Sequence, residues 1–431
     1  MVTLLIIADD FTGALDTSVH FAKRQISTLA TTNRDIDFWS LPPDIQVLAI
    51  DTETRHLPGE EAYRIVLDVA RRAVKAGIPY LYKKTDSTLR GNIGAELSAL
   101  MDAAPNSPLV FAPAFPSNGR TTVRGHQYFR DRPIHQTVFA QDPLEPITTS
   151  SIAEIIGRQS TYPVALLPAG ASAGTLRKDG RIYVFDASTQ EDLDRLGRDM
   201  LNTSRPLLTG GSASLAASLS RLLPLPKMKR RSATHQGSPL FLVGSVNQIS
   251  LDQISYAVDL GYPLVRLTFE QQMDSGYYQR TDSVGLIDEI SICLRQKHHC
   301  IISTLDNREQ LRASAEYAGQ FRVERSRISA QVASNMGLLV RVLLDRELCT
   351  SIIIFGGDTS LGVMAHIGCR SIVPLDEIQP GIVVSEVTYR GKTLLMVTKA
   401  GGFGSLQVIP QIDSYLRAFA ARSSAPPEGE G

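Results

Sequence analysis

Short runs of β-branched and aromatic residues alternate with longer amphipathic stretches along nearly the whole chain, a pattern that predicts α/β architecture with largely parallel sheets. Residues 2–8 read as a buried first strand and 14–23 as the helix after it. A second strand is expected over 45–51, a long helix over 60–76 with Gly77 as its C-cap, a third strand over 80–84 and a helix over 93–101. Strands at 109–112, 164–167, 182–185 and 206–208 continue the series. Between Leu222 and Pro239 the pattern stops: three prolines, a glycine and the cluster Lys227–Lys229–Arg230–Arg231 hold neither a strand nor an apolar helix face. A second series follows, with strands at 240–243, 264–267, 300–304, 351–355, 382–386 and 394–398 and its longest helix over 325–344. The expected fold is therefore two α/β domains, over 1–225 and 240–420, with a ligand cleft between them. A linker over 226–239 joins them, and the Pro-, Gly- and Glu-rich residues 421–431 read as a disordered tail.

Composition narrows the function. Lys+Arg and Asp+Glu both number 44, so the formal net charge is zero and a nucleic-acid partner is disfavoured. Apolar runs such as 4–8 and 352–355 are far shorter than the ~20 residues that cross a bilayer. Asp9 and Asp10 interrupt the first of them, so it does not read as a signal peptide, and no membrane association is expected. The four cysteines (Cys293, Cys300, Cys349, Cys369) show neither paired nor metal-ligand spacing, and a reducing cytoplasm is the expected compartment.

In open parallel sheets ligands bind at the carboxyl ends of strands. The first strand ends in Asp9-Asp10-Phe11-Thr12-Gly13, an acidic pair suited to hydroxyls, a proton or Mg²⁺, although one Asp could simply cap the following helix. The second ends in Asp51-Thr52-Glu53-Thr54-Arg55 and the third in Lys83-Lys84-Thr85-Asp86-Ser87-Thr88-Leu89-Arg90-Gly91-Asn92. Asp9, Arg55, Lys84, Asp86, Ser87 and Arg90 thus converge on one rim. Arg and Lys suit an anionic group, and Asp, Ser and Thr suit hydroxyls; together they describe a pocket for a small polyhydroxylated acid.

The second series carries Gly244-Ser245, Gly356-Gly357-Asp358-Thr359 and Gly401-Gly402-Phe403-Gly404 after three of its strands. Glycine-rich turns let backbone N–H groups approach phosphate oxygens, and three of them in one domain indicate a nucleotide. Gly391-Lys392-Thr393 lacks the earlier glycine of a phosphate loop and lies between two strand-like runs, so a hairpin turn is expected there. His298-His299-Cys300 has no second ligand cluster and reads as the approach to a strand. Gly210-Gly211-Ser212 could be either a further phosphate loop or an ordinary turn.

Taken together, IADDFTGALD (7–16), DTETR (51–55), KKTDSTLRGNIGAEL (83–97), APAFPSNGRTTVRGHQY (112–128), VGSVNQIS (243–250), FGGDTS (355–360) and KAGGFG (399–404) resemble the four-carbon acid sugar kinase family over nearly the whole chain. The resemblance implies an N-terminal sugar-acid-binding domain, a C-terminal nucleotide-binding domain, and transfer of phosphate from ATP, with Mg²⁺, to the terminal 4-hydroxyl of a tetronate. It carries substrate contacts to Asp9, Arg55, Lys84, Thr85, Asp86 and Ser87, with Asp10 and Arg90 added from the rim. It carries ATP contacts to Ser245, Gly356, Gly357, Asp358, Thr359 and Gly401, with Gly402 and Gly404 in the same turn. Asp358 and Asp86 are the two candidates for accepting the hydroxyl proton, no residue is singled out for a metal, and domain closure over ATP is expected. The 3-oxo-tetronate branch tends to carry CSTFDST-KGN and Gly-Gly-Glu-Thr where this chain has KKTDSTLRGN and Gly-Gly-Asp-Thr. Both departures place the chain closer to the threonate and erythronate kinases; D-threonate is the preferred substrate, with D-erythronate or a 3-oxo-tetronate as alternatives. The expected partners are a sugar acid and ATP, with room for a homodimer. A non-catalytic sugar-acid-binding protein would leave the glycine loops unexplained, and a dehydrogenase would need a Gly-x-Gly-x-x-Gly fingerprint that follows none of the strands.

Overall fold

The computed structural model describes residues 1–105, 107–142, 145–177, 179–203, 208–228, 238–244, 247–304 and 327–424. The chain divides into two compact units, Met1–Lys229 and Arg230–Gly431.

In the N-terminal unit the apolar runs become strands β1 (Leu4–Ala8), β2 (Thr28–Thr31), β3 (Val47–Asp51), β4 (Tyr80–Lys84) and β5 (Leu109–Ala112). β6 (Arg120–Val123), β7 (His126–Phe129) and β8 (Arg132–Pro133) form a separate antiparallel sheet. β9 (Val164–Leu167), β10 (Ile182–Phe185) and β11 (Leu208–Gly211) complete the main sheet, ordered β2-β3-β1-β4-β11-β5-β10-β9 and parallel throughout. Its helices are α1 (Phe11–Ala22), α2 (Gly59–Lys75), α3 (Ile93–Ala103), α4 (Ile152–Gly157), α5 (Gln190–Leu201) and α6 (Ala213–Leu222). Helices on a parallel sheet bury its strands, which is why β1, β3 and β5 are apolar along most of their length rather than alternating. Leu5, Ile7, Leu48, Ile50, Leu97 and Phe111 sit in one core with Val66 and Val69 of α2.

The topology fixes where a ligand can bind. β1 pairs with β3 on one side and β4 on the other, so the chain winds away from β1 in both directions. A crevice therefore opens at the carboxyl ends of β1 and β4. Ala8 is in register with both Asp51 and Lys84, which places Asp9 beside the ends of both neighbouring strands.

The C-terminal unit contains β12 (Pro239–Val243), β13 (Leu264–Arg266), β14 (Cys300–Ser303), β15 (Ser351–Phe355), β16 (Ser371–Gln379), β17 (Ile382–Tyr389) and β18 (Lys392–Lys399). Its helices are α7 (Gln248–Asp259), α8 (Phe269–Met273), α9 (Ser283–Lys297), α10 (Ile328–Asp345), α11 (Gly357–His366) and α12 (Val408–Ser424). The order β13-β14-β12-β15-β18-β17-β16 is parallel as far as β18 and antiparallel beyond it. Again one strand, β12, is flanked by chains wound in opposite directions, and the glycine turns after β12, β15 and β18 lie at the same end of three adjacent strands. Close helix packing steadies one of them: a Cβ at Gly337 of α10 would lie 2.3 Å from the carbonyl oxygen of Gly362 in α11.

Several expectations are corrected. α1 starts at Phe11, three residues early, because Asp10 caps it by accepting from the Gly13 N–H at 3.0 Å. β2 (TLAT), the β6–β8 sheet and β16 were not anticipated; β16 is masked as a strand by Pro374, Asp376 and Glu377, and its register shifts between Pro374 and Asp376. Gly210 and Gly211 belong to β11 itself: a Cβ at Gly211 would lie 2.3 Å from the Ala112 carbonyl oxygen, so they serve close strand approach. The expected tail begins too early, since α12 runs to Ser424; residues 425–431 lie outside the described part. Lys227 and Met228, read as linker, pair with Ile26 and Gln25 of the N-terminal unit, and 229–237 are not described. The hairpin reading of Gly391-Lys392-Thr393 holds: Arg390 and Gly391, at φ 48° and 77°, join β17 to β18.

Candidate active site

At the β1–β4 crevice the first cluster is built around Arg55. Its Nε donates to Asp9 Oδ2 at 2.8 Å, and its two terminal nitrogens reach the two oxygens of Asp10 at 2.8 Å each. Arg55 is reached through a loop that Asn92 holds, donating to the carbonyls of Thr54 at 2.9 Å and Leu57 at 2.8 Å. Gly91, at φ +89°, is needed there, because a Cβ would meet Arg55 Cγ at 3.1 Å. The guanidinium is thus committed to the acidic pair. Burial raises the proton affinity of Asp10, yet Arg55, Lys84 and Thr12 outweigh it and leave its carboxyl below the ordinary range.

Lys84 stands beside this pair in a different condition. Its side chain is buried, its Nζ would be 2.8 Å from a Cβ on Gly13, and among the described residues its ammonium forms neither a hydrogen bond nor an ion pair. Asp9 Oδ1 is likewise buried without a donor. Such unmatched groups are rare in native interiors and mark places where something else completes the set. The neighbouring Lys83, by contrast, is satisfied: it is fully buried, 3.0 Å from Glu96, and donates to the carbonyls of Ile7 and Lys84.

The second cluster follows β4. Asp86 accepts from Thr88 Oγ1 and from Arg90 Nε at 2.6 Å, and Arg90 continues to Asp142 at 2.9 Å. Burial works against the Asp86 charge, but Arg90 and Arg55 dominate and hold its carboxyl well below the usual range. Thr85 is pinned by its N–H to the Gly211 carbonyl at 3.0 Å. Gln127 of β7 donates to the Ser87 carbonyl at 2.8 Å, while among the described residues the Ser87 hydroxyl has no partner. The electrostatic coupling of Arg55 to Asp86 as well as to Asp9 and Asp10 joins the two clusters into one site.

Sequence reasoning missed three members of this site. Asp51 is buried at the end of β3, accepts among the described residues only from the Glu53 N–H, and is pushed well above the usual carboxylate range by burial, with Asp10 and Asp9 adding to it. Its place at a strand end was visible, but not that it would be buried beside two other carboxylates. Arg120 is half-buried, with Phe129 and Phe139 ring centroids 5.8 and 5.5 Å from its guanidinium carbon, within electrostatic reach of Asp86 and Arg90. Asn92 was quoted only as part of a motif.

In the C-terminal unit Gly356 adopts φ 118° and opens α11, with Gly357, Asp358 and Thr359 in its first turn. The N–H groups of that turn have no intrahelical acceptor. Asp358 is exposed, and its Oδ2 accepts from Ser329 at 2.8 Å. Gly244 packs directly on this turn, where a Cβ would be 2.1 Å from Thr359 Oγ1; Ser245 lies outside the described residues. The turn after β18 is held from α7: Ser250 donates to the Gly401 carbonyl at 3.1 Å and Gln253 to the carbonyls of Phe403, Gly404 and Ser405 at 2.9–3.2 Å. Gly404 has φ +84°. The His298-His299 pair does cap α9 and lead into β14, with His299 stacked on Tyr262.

Comparison with known proteins agrees with this division. A sugar-binding N-terminal domain family matches residues 4–219 and a nucleotide-binding C-terminal domain family matches 240–409. The chain is 30% identical over 427 residues to a D-threonate kinase of Salmonella typhimurium, covering 93% of this chain and 95% of the relative. It is 27% identical to a D-erythronate kinase of Heliobacterium modesticaldum, covering 99% and 100%, and 28% identical to a 3-oxo-tetronate kinase of Cupriavidus necator, covering 92% and 93%. Solved structures from Salmonella typhimurium (TM-score 0.79, 24% identity) and Haemophilus influenzae (TM-score 0.71, 22% identity) share the fold over 96% of this chain and 100% of theirs.

Proposed function

Because the chain belongs to the four-carbon acid sugar kinase family, we propose that it transfers the γ-phosphoryl group of ATP to the terminal 4-hydroxyl of D-threonate. The observation that carries the substrate reading is the unmatched polar set at the β1–β4 crevice: the Lys84 ammonium, Asp9 Oδ1 and the Ser87 hydroxyl. A small hydroxy acid supplies what each lacks, a carboxylate for the ammonium and hydroxyls for the acceptors. Lys84 is then the cation for the substrate carboxylate, and Arg55 orients Asp9 and Asp10 rather than binding that carboxylate itself. The Lys-Lys-Thr-Asp-Ser-Thr and Gly-Gly-Asp-Thr segments favour a threonate or erythronate over a 3-oxo-tetronate, and relatives named D-threonate kinase at 30% and 28% identity support the choice of D-threonate.

ATP phosphates fit the free N–H groups of the α11 first turn and of the turn after β18. Mg²⁺, which prefers oxygen and keeps much of its shell from phosphates and water, would find in Asp358 a carboxylate with one oxygen free of donors from the described residues; when bound it would neutralise charge on the phosphates. Asp358 is also preferred to Asp86 as acceptor of the hydroxyl proton, because a carboxylate held well below its usual range by Arg90 and Arg55 is a weak base. The protein's contribution is otherwise positioning and electrostatics, as phosphoryl transfer requires. A coupled ADP-release assay with Mg-ATP against D- and L-threonate, D- and L-erythronate and their 3-oxo relatives tests the assignment. Turnover concentrated on D-threonate is expected; turnover only on a 3-oxo acid or an erythronate would overturn the substrate choice.

A further inference from the structure

Lys399, the last residue of β18, is fully buried and has no carboxylate partner among the described residues. Its Nζ donates to the Ala400 carbonyl at 3.3 Å, the Gly401 carbonyl at 3.1 Å and Ser250 Oγ at 3.2 Å, so all three protons are used. It also lies 4.6 Å from the centroid of the Phe355 ring on neighbouring β15, which favours the cation. A trans peptide points its C=O and its N–H in opposite directions. Drawing the carbonyls of residues 400 and 401 inward onto one ammonium therefore turns the N–H groups of Gly401 and Gly402 outward. Among the described residues, neither of those N–H groups donates a hydrogen bond. Two successive outward N–H groups form an anion-binding concavity.

We propose that Lys399 is a positioning residue whose ammonium fixes the Gly401 and Gly402 N–H groups as a cradle for a nucleotide phosphate. The inference rests on the reading of these turns as the ATP site and names the device that shapes one of them. Among the described residues the groups facing Nζ are uncharged: α7 offers Ser250, β15 the Phe355 ring, and the turn its carbonyls. Burial pulls the ammonium down to about 7. A phosphate held at the cradle restores the positive charge, so nucleotide binding above neutral pH takes up a proton.

The test is calorimetric titration of the whole protein with Mg-ATP at pH 8 in buffers of different ionisation enthalpy, for wild type and Lys399→Met, with kinetics alongside. The wild type is expected to take up a fraction of a proton on binding. Lys399→Met is expected to bind ATP about tenfold or more weakly without that uptake, and to raise the KM for ATP far more than it lowers kcat. Unchanged ATP affinity in a folded Lys399→Met, or wild-type binding with no buffer dependence, overturns the proposal. The second measurement needs no variant and stands if Lys399→Met does not fold. Failure of the wild type to bind ATP at all is a different result, since it removes the ATP site on which the inference rests.

Discussion

Replacing Lys84 with Met separates binding from scaffolding at the β1–β4 crevice. The ammonium has no protein partner among the described residues, so its role should show in substrate affinity rather than in folding. Truncating one member of a buried charge pair costs about 2–4 kcal/mol. At 1.4 kcal/mol per tenfold, that is roughly a thirty- to several-hundredfold rise in the KM for the tetronate. Stability responds differently. Met relieves the burial cost of an unpartnered polar group, about 1–3 kcal/mol, and forfeits the attraction of Lys84 for Asp10. These offset to within about 1 kcal/mol, a Tm change of about 2–4 °C for a unit of this size. Arg55→Met is the contrasting control. It strips the guanidinium from Asp9, 1% exposed, and from Asp10, 27% exposed at the side chain. Breaking a buried pair costs about 3–5 kcal/mol, reduced here by the exposure of Asp10 to about 2–4, so its Tm should fall by roughly 5–15 °C. Steady-state kinetics by coupled ADP release and thermal unfolding monitored by circular dichroism, on the same preparations, read both quantities. A Lys84→Met protein that keeps the wild-type KM, or that loses as much Tm as Arg55→Met, refutes the reasoning.

Other expected outcomes concern the carboxylates. Asp86 is held below its unfolded value of 3.8, so its contribution to stability is present above that value and lost as the pH falls through the lower folded one; the Tm gap between wild type and Asp86→Asn should be full at pH 7 and close in strong acid. Asp51 has the opposite sign: raised in the folded state, it costs stability as the pH climbs above 3.8, so Asp51→Asn should match or exceed the wild-type Tm at pH 7 and flatten its pH dependence, and a large loss at neutral pH would show that the charged form is needed. Asp358→Asn should lower kcat about a hundredfold or more, a larger factor than the rise in the KM for ATP that comes with losing a carboxylate for Mg²⁺; an unchanged kcat would remove it as the proton acceptor.

Much of the architecture was legible because buried parallel strands are short apolar runs bounded by turn residues. β4, β5, β9, β10 and β15 coincide with the runs at 80–84, 109–112, 164–167, 182–185 and 351–355. β2 and β16 escaped for physical reasons: four small residues carry little apolar signal, and Pro374, Asp376 and Glu377 break the period in β16. The rim of charged residues was legible as a set, since strand ends in a parallel sheet must share one edge. Its internal pairing was not. Arg55 and Lys84 carry the same charge in sequence, and only the fold commits one to Asp9 and Asp10 and leaves the other without a hydrogen bond or ion pair among the described residues. Lys399 shows the same limit, because a lysine at a strand end reads as solvated until its burial on Phe355 is known.

Phosphorus-31 NMR of the product tests the proposed transfer to the 4-hydroxyl of D-threonate. A phosphate on the terminal carbon couples through three bonds to both CH₂ protons with similar strength, whereas one on C2 or C3 couples to a single CH proton. A new phosphomonoester triplet that grows as ATP is converted to ADP is expected. A doublet would place the transfer on another hydroxyl, and ATP consumption with no new ester signal would contradict the kinase assignment for this substrate.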